Sequence, residues 1–381
     1  MDYLKTSATF KVRKVLRYLR LYGPQRTLAK VRGQIHMQRV FETLPSPNRQ
    51  ARPSQTIGLI GCGNYAYTTI AYYLSRSAGP VIRGVMDIDI NKAASLYQRY
   101  KAAYYTDDPN AVVNDDAVDL VYIASNHASH AEYAIAALDR GKSVYIEKPH
   151  VVSEDQLTRL VDAAKRSDGR VFLGFNRPVS RFGTTIADYL GRETGPAMYN
   201  WFVAGHVIGP DHWYLKPEEG GRVLGNLCHW TDFILGLTRQ DMYPIEVNPT
   251  RAAGSNCDIA VSYKFADGTV AGIMFSAKEH TFEGIKERFA AHKGNCLITM
   301  DDFQAMKIEV GESVRRYKSL FRDQGHASNI ISSYRNVKGS LPYDRQARTE
   351  HIWNTGMLFL KTKQALDSDA RVLIQPYSRG V

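Results

Sequence analysis

No apolar run in this 381-residue chain approaches the roughly 20 residues needed to cross a bilayer, which excludes an integral helical membrane protein. Only four cysteines are present, Cys62, Cys228, Cys257 and Cys296. They are scattered without a CxxC pair or metal-ligand spacing, so neither a disulfide framework nor a metal site is expected. Free thiols at such spacing fit a reduced, cytoplasmic setting. No uncharged apolar stretch follows the first basic residues, so the N-terminus does not read as a secretory signal. Internal repeats and low-complexity tracts are missing as well.

Acidic residues are scarce in one segment. Residues 1–50 carry 11 Lys or Arg against Asp2 and Glu42, a net of +9, while the whole chain is +11. The basicity therefore belongs to an N-terminal appendage and says little about the body. Residues 10–22 place Val12, Val15, Leu16, Leu19 and Tyr22 on one helical stripe, with Lys11, Arg13, Lys14, Arg17 and Arg20 on the other faces. Gly23-Pro24 should end that helix, because proline disfavours helical backbone in the residue before it. A second basic amphipathic stretch spans Thr27 to Met37, and residues 44–55 (LPSPNRQARPSQ) have linker composition. The plain reading is a pair of helices packed on the body or on a partner subunit. The sharper one is peripheral contact of residues 10–37 with an anionic membrane surface. A transit peptide would need a cleavage site, and none is evident. No zinc-finger spacing or recognition motif accompanies the charge, so nucleic acid is not an expected partner.

From Thr56 the pattern changes to strand, glycine turn, helix. TIGLIG (56–61) leads straight into GCGNYA (61–66), a GxGxxA fingerprint in its proper context. Gly61 permits the tight turn, Gly63 lets backbone approach a pyrophosphate, and Ala66 allows close helix–strand contact; Asn64 and Tyr65 open the helix whose N–H groups favour phosphate. The next strand, VIRGVMD (81–87), ends in Asp87, placed to accept from both hydroxyls of an adenosine ribose and to repel a 2′-phosphate. NAD is therefore expected rather than NADP. The bland alternative is a turn-forming Asp87 beside an ordinary helix cap at Asp89. Strand-like runs at 118–125 and 143–148, separated by a helix over 128–140 and Gly141, continue a doubly wound parallel sheet. Its switch point puts Ser125, Asn126, Glu147 and Lys148 near the nicotinamide half.

The stretch VYIASNHASHAEYAIAALDRGKSVYIEKP (121–149) resembles the glucose–fructose oxidoreductase, inositol dehydrogenase and rhizopine-catabolism (Gfo/Idh/MocA) family, with His130, Gly141-Lys142 and Glu147-Lys148-Pro149 in the family's places. Softer matches run through GFNRP (174–178), EEGGRVLGNLCHWTD (218–232), Lys286-Glu287, Asp301-Asp302-Phe303 and Gly325-His326, so the likeness covers about residues 55–375. It implies an α/β protein: a Rossmann domain at 55–175 after the 1–54 extension, then a substrate and oligomerisation domain at 176–381 with a large, mainly antiparallel open sheet. It also implies a homodimer or homotetramer. Lys148 matches the lysine that contacts the substrate hydroxyl, Pro149 a position often preceded by a cis peptide, and His229 the histidine near the reacting carbon. One departure stands out. Many members have aspartate four residues before that histidine, where this chain has Gly225; the adjacent Asn226 offers an amide but no base.

Oxidising a secondary alcohol needs a hydride acceptor and a group that removes the hydroxyl proton. A partly desolvated lysine beside a cationic ring can be that group, and histidine can relay the proton. Lys148 and His229 are thus the expected catalytic residues, against the alternatives of a surface lysine and a buried helix histidine. Arg177 could grip a carboxylate or phosphate through paired bonds. His212 and Trp213 are further substrate candidates, the tryptophan by stacking on a sugar face. The expected activity is hydride transfer on a sugar, cyclitol or nucleotide-sugar, with redox-assisted glycoside hydrolysis or a dinucleotide-sensing regulator as the alternatives. The rear of the chain fits a sheet: residues 257–277 read as a hairpin about Asp267-Gly268, with strands near 295–300 and 305–310, helices at 326–337 and 346–367, and a last strand at 371–375.

Overall fold

The computed structural model describes residues 7–46, 50–205, 208–209, 211–238, 242–251, 258–277, 284–339 and 342–377. Cys257 and the linker positions 47–49 lie outside the described residues. Two compact units emerge, and neither is continuous in sequence. One comprises residues 25–174 and 326–353, the other residues 1–24, 175–325 and 354–381.

The first unit is built on six parallel strands in the order β3-β2-β1-β4-β5-β6: β1 (Ile57–Ile60), β2 (Ile82–Met86), β3 (Tyr104–Thr106), β4 (Leu120–Ile123), β5 (Ser143–Ile146) and β6 (Val171–Leu173). Every residue of β1, β4 and β5 is buried. That is why these strands read as unbroken apolar runs rather than alternating ones: helices cover both faces of a parallel sheet. The strand order is that of the dinucleotide-binding doubly wound fold. Crossovers are supplied by α2 (Ala71–Ala78), α3 (Ile90–Tyr100), α4 (Pro109–Val113), α5 (His127–Asp139) and α6 (Glu154–Arg166). Three of them begin at a side-chain cap: Asp89, Asp108 and Ser153 accept a backbone N–H two or three residues on, capping α3, α4 and α6. Asp89 is therefore the helix cap the sequence suggested.

The N-terminal segment forms α1 (Ala8–Gln38), in which Gly23 has non-helical backbone (φ 76°, ψ 169°), so the break falls where Gly23-Pro24 placed it. Leu21 and Ala29 are buried, while Val12 and Leu16 of the expected apolar stripe are about 60% exposed. The stripe read from spacing is thus only partly covered: Val15, Leu19 and Tyr22 are half-buried, and the Tyr22 hydroxyl accepts from Arg322 Nη1 at 3.3 Å. The stretch after α1 is strapped to the sheet unit. Phe41 N–H donates to Asn91 Oδ1 at 2.9 Å, and the Tyr97 and Tyr105 hydroxyls donate to the carbonyls of Ser46 and Pro45 at 2.7 Å. Linker composition here marks a docked strand of chain rather than a loose tether.

A returning segment completes this unit. Within α9 (His326–Val337), Ile330 O and Ser333 Oγ lie 3.0 and 2.9 Å from the Tyr122 hydroxyl. The Tyr343 hydroxyl accepts from Val171 N–H at 2.8 Å.

The second unit carries nine strands in the order β14-β13-β12-β11-β7-β10-β9-β8-β15. They are β7 (Ala197–Ala204), β8 (Ile245–Arg251), β9 (Ile259–Lys264), β10 (Val270–Ser276), β11 (Lys286–Lys293), β12 (Cys296–Asp301), β13 (Ala305–Val310), β14 (Ser313–Lys318) and β15 (Val372–Ile374). Every pairing is antiparallel except β7 with β10. β7 alternates buried and exposed residues, the pattern of a sheet with one covered face. The covered face packs Trp201, Phe289 and Phe303 against Phe233 of α8 (Cys228–Leu237), with Trp201 and Phe233 edge to face at 5.1 Å. Asp267-Gly268 makes the expected hairpin turn: Gly268 has φ +86°, and Asp267 accepts from Thr269 N–H at 2.8 Å. α7 (Arg181–Gly191) and α10 (Arg345–Ser368) complete the helices.

Candidate cofactor and active site

The strongest local signal, the glycine turn, is built as its chemistry requires. Gly61 sits at φ +87°, and a Cβ there would lie 2.5 Å from Ala124 backbone at the end of β4, so no other residue fits. At Gly63 a Cβ would meet nothing within 4 Å. Its backbone faces open space, the cradle a pyrophosphate needs. The helix that follows starts at Asn64 and passes through a five-residue π-helical stretch, Ala66–Ile70, before α2. Wide turns of this kind recur at functional sites.

Asp87 ends β2 beside this turn. Its Oδ2 accepts from Cys62 N–H at 2.7 Å and its Oδ1 from Asp89 N–H at 2.9 Å. Both oxygens are aimed by backbone and each retains acceptor capacity for a ribose hydroxyl. The residues suited to hold NAD are therefore Gly61, Gly63 and Asn64 for the pyrophosphate and Asp87 for the ribose.

At the end of β4, Ser125 and Asn126 share a small network with Ser129: Ser125 Oγ lies 2.7 Å from Ser129 Oγ, which donates to Asn126 Oδ1 at 2.6 Å. Behind them His130 is 1% exposed. Its Nδ1–H donates to Pro149 O at 2.7 Å, and Nε2 is 3.2 Å from Ser125 O. Burial pushes its pKa down to about 4, so the ring is neutral. His130 thus pins the end of β4 to the turn that bears Lys148, and the Lys148–Pro149 peptide bond is cis. Expected among the cofactor ligands, it has both ring nitrogens on backbone carbonyls of the protein.

Glu147 has the same character. It is buried, with Oε2 accepting from Lys148 N–H at 3.1 Å and the Tyr145 hydroxyl 3.5 Å from Oε1. Burial raises the Glu147 pKa and drives both Tyr65 and Tyr145 upward. Gly174 is tight here, since a Cβ would fall 2.6 Å from Glu147 Oε1. Tyr65 was expected to contribute through the helix start and Glu147 to lie near the nicotinamide half; the Glu147 carboxylate faces Lys148 N–H and Tyr145.

In the second unit, Arg177 is corrected outright. Expected to grip a substrate anion, it is 4% exposed, with Nε on Glu287 Oε1 at 2.5 Å. The same carboxylate oxygen accepts from Trp230 Nε1 at 2.8 Å, and its other oxygen accepts from Gln324. Glu287 is fully buried, so the pair is a core element; sequence spacing cannot reveal that a cation 110 residues away is already taken.

His229 lies on α8, 8% exposed and edge-on to Phe175 at 6.1 Å. Asn226 Oδ1 accepts from Arg222 Nη1 at 3.2 Å within a second π-helical stretch, Val223–Leu227. His212 Nδ1 accepts from Tyr214 N–H at 3.2 Å, and its ring stacks near Trp213, which is 37% exposed. Of the substrate candidates in this unit, Trp213 alone presents a large open face. Lys148 belongs to the first unit and His229 to the second.

Sequence spacing did not single out His36. Its Nε2–H donates to Cys62 O at 2.7 Å, and Nδ1 lies 2.9 Å from Ser95 Oγ. The carbonyl fixes the tautomer, leaving Nδ1 to accept from the serine. Gly33, one turn earlier on α1, would place a Cβ 2.2 Å from Thr68 and 2.4 Å from Asn64. The appendage therefore abuts the dinucleotide turn itself.

Residues 55–175 match the oxidoreductase family with an NAD-binding Rossmann fold. Oxidoreductase P35 of Formosa agariphila is 33% identical over 120 residues, 32% of this chain and 37% of the relative. An inositol 2-dehydrogenase of Klebsiella pneumoniae is 33% identical over 204 residues, 52% of this chain and 59% of the relative. The chain thus matches between about a third and three-fifths of these relatives' lengths. In fold, levoglucosan dehydrogenase in complex with NADH gives a TM-score of 0.69 at 15% identity, covering 84% of this chain and 99% of that one. GenD2 from gentamicin A biosynthesis, in complex with NAD, gives 0.68 at 18%, covering 87% and 99%. The uncovered share is about the length of the appendage. The fingerprint, the parallel strand order and the EKP segment thus all lie within the stretch, residues 55–175, that matches the Gfo/Idh/MocA oxidoreductase family.

Proposed function

We propose that the chain is an NAD-dependent dehydrogenase that interconverts a secondary alcohol and a ketone on a sugar, cyclitol or nucleotide-sugar. The observation that carries this reading is the Asp87 carboxylate, held by Cys62 N–H and Asp89 N–H beside the open backbone of Gly63. Bound NAD would supply the hydride acceptor. Asp87 favours an unphosphorylated ribose, since a 2′-phosphate would face its negative charge. Lys148 is the residue that takes the hydroxyl proton at Nζ, and His130 and Glu147 hold its backbone in place. His229 and Asn226 orient the substrate hydroxyls, and Trp213 offers an apolar face to a sugar ring. With Gly225 where a carboxylate often stands, proton handling rests on Lys148 and His229.

The exposed face of the nine-stranded sheet carries Met198, Phe202, Met274 and Leu297, which supports homo-oligomerisation through that face. No helix among the described residues is long and apolar enough to cross a membrane. Peripheral contact of residues 10–37 with an anionic surface is supported only by charge and the exposed Val12 and Leu16.

Two steps test the reading. Melting temperature is first followed against NAD, NADH, NADP and NADPH, because a ligand that binds only the folded state raises it. Sugars, cyclitols and nucleotide-sugars are then screened for NADH formation with wild type and Lys148→Ala. NAD-selective stabilisation and lysine-dependent NADH formation support the dehydrogenase. Sugar release without net NADH would indicate the hydrolytic chemistry, and no dinucleotide binding would indicate a partner protein.

A further inference from the structure

The appendage creates a concavity that its own net charge of +9 foreshadows. Where α1 crosses the start of the dinucleotide helix and α3, a pocket of 310 Å³ opens. Arg32 and Arg39 line it from the appendage and Arg99 from α3, with the rings of His36 and Tyr67 and the hydroxyl of Ser95 at its walls. No carboxylate lines it. Among the described residues none of the three guanidinium groups has an ion-pair partner; Arg39 and Arg99 rest instead over the Phe41 and Tyr100 rings at 4.3 and 5.6 Å, which leaves their N–H donors unspent.

Tyr67 points to the occupant. It is only 6% exposed, with its ring stacked on His36 at 4.0 Å and against Tyr100 at 5.4 Å, yet its phenolic hydroxyl has no hydrogen-bond partner among the described residues. The oxygen is not itself buried but opens on the pocket, so its hydrogen-bonding capacity is free for a ligand. Burial pushes the Tyr67 pKa up, while Arg99, Arg32 and Arg39, which line the same pocket, pull the other way. Like charges gathered without a counter-ion repel, and a built cavity that collects them has a stabilising role for an anion.

We propose that this pocket binds a phosphate group, carried either by a soluble phosphorylated metabolite or by a lipid head group. Guanidinium forks match phosphate oxygens with paired N–H donors, the Tyr67 hydroxyl donates a further bond, and the volume suits a small ligand. The site is separate from the pyrophosphate cradle at Gly63, which faces open space on its own account. It communicates with the turn through His36, whose ring lines the pocket and whose Nε2–H holds Cys62 O. The inference does not depend on the dehydrogenase reading.

The test uses the full chain with inorganic pyrophosphate as the soluble probe, titrated calorimetrically with and without saturating NAD, and phosphatidylglycerol vesicles in a cosedimentation assay. Variants are Arg32→Gln combined with Arg99→Gln, both exposed positions, and Tyr67→Phe, whose shape is preserved; circular-dichroism melting verifies folding. Saturable pyrophosphate binding that persists with NAD and weakens about tenfold or more in the double arginine variant, and less in Tyr67→Phe, supports the site with a soluble ligand. Vesicle binding lost in the same arginine variant supports it with a lipid head group. Binding of neither probe, or binding unchanged in the arginine variant, overturns it. So does pyrophosphate binding that NAD abolishes, since that locates it at the cofactor turn.

Discussion

His36 on the N-terminal helix donates from Nε2 to the carbonyl of Cys62, the second residue of the dinucleotide turn, at 2.7 Å. On its other edge Cys62 donates its N–H to Asp87. One residue of the turn is therefore gripped from two sides, by an appendage and by the carboxylate proposed to read the ribose.

Replacing His36 by Ala should leave Cys62 O and Ser95 Oγ without that partner in a buried setting, at a cost of roughly 1–3 kcal/mol. The expected outcome is a lower melting temperature and weaker NAD binding by calorimetry. Gly33→Ala should act in the same direction, because its Cβ would press on Asn64 and Thr68. Unchanged NAD affinity in both variants would mean that the appendage does not position the turn.

Asp87→Ser removes the negative charge that faces a 2′-phosphate. The ratio of NADP to NAD affinity should rise by about tenfold or more, equivalent to about 1.4 kcal/mol. Separate titrations of the two dinucleotides check this, and an unaltered ratio would sink the role assigned to Asp87.

Lys148→Ala should lower kcat by about 10²- to 10⁴-fold, the usual contribution of a positioned proton acceptor, while NAD affinity changes little. Loss of cofactor binding in step with activity would instead make Lys148 a structural residue.

Acid should destabilise the dinucleotide unit through two histidines. His130 and His150 are buried neutral, with pKa values pushed down to about 4 and about 3 from 6.5. Below pH 6.5 the unfolded chain takes up protons that these rings refuse, so stability falls as pH drops toward 4, by up to about 1.4 kcal/mol per pH unit for each ring. Asp302 works oppositely: burial raises its pKa to about 6, and its contribution is lost as pH rises through about 4 to 6. The comparison is therefore made between wild type and His150→Gln. Their difference in melting temperature should shrink steadily from pH 7 to pH 4, and a pH-independent difference would contradict the assignment.

Arg177→Ala should cost roughly 3–5 kcal/mol, because it leaves the fully buried Glu287 carboxylate without its cation. A merely local substrate contact would instead change KM and leave the melting curve alone.

Much of this was legible in the sequence, for identifiable reasons. The glycine turn, Asp87 and the strand runs could be read because parallel strands covered on both faces must be apolar throughout, and tight turns must be glycine. The Asp267-Gly268 hairpin and the helix at 326–337 were equally plain, since their signals are local. Arg177 misled because a polar residue near a site looks the same whether it faces a ligand or a buried partner. His36 was hidden because its partners lie 26 and 59 residues away. The exposed Val12 and Leu16 show that an apolar stripe in a basic helix need be covered only in part.

The return of residues 326–353 to the first unit sets a timetable for the growing chain on the ribosome. When residue 174 emerges, all six parallel strands exist, but the Tyr122 hydroxyl still lacks Ile330 and Ser333, Arg170 lacks Asn336, Val171 N–H lacks Tyr343 and His150 lacks Ile352 O. Those buried groups wait for about 155 to 180 further residues, including the whole nine-stranded sheet except its last strand, to be synthesised. A ribosome stalled before residue 353 should thus hold a dinucleotide unit that is collapsed but unfinished, and a gene fragment ending at residue 174 should yield a product that proteases readily cut.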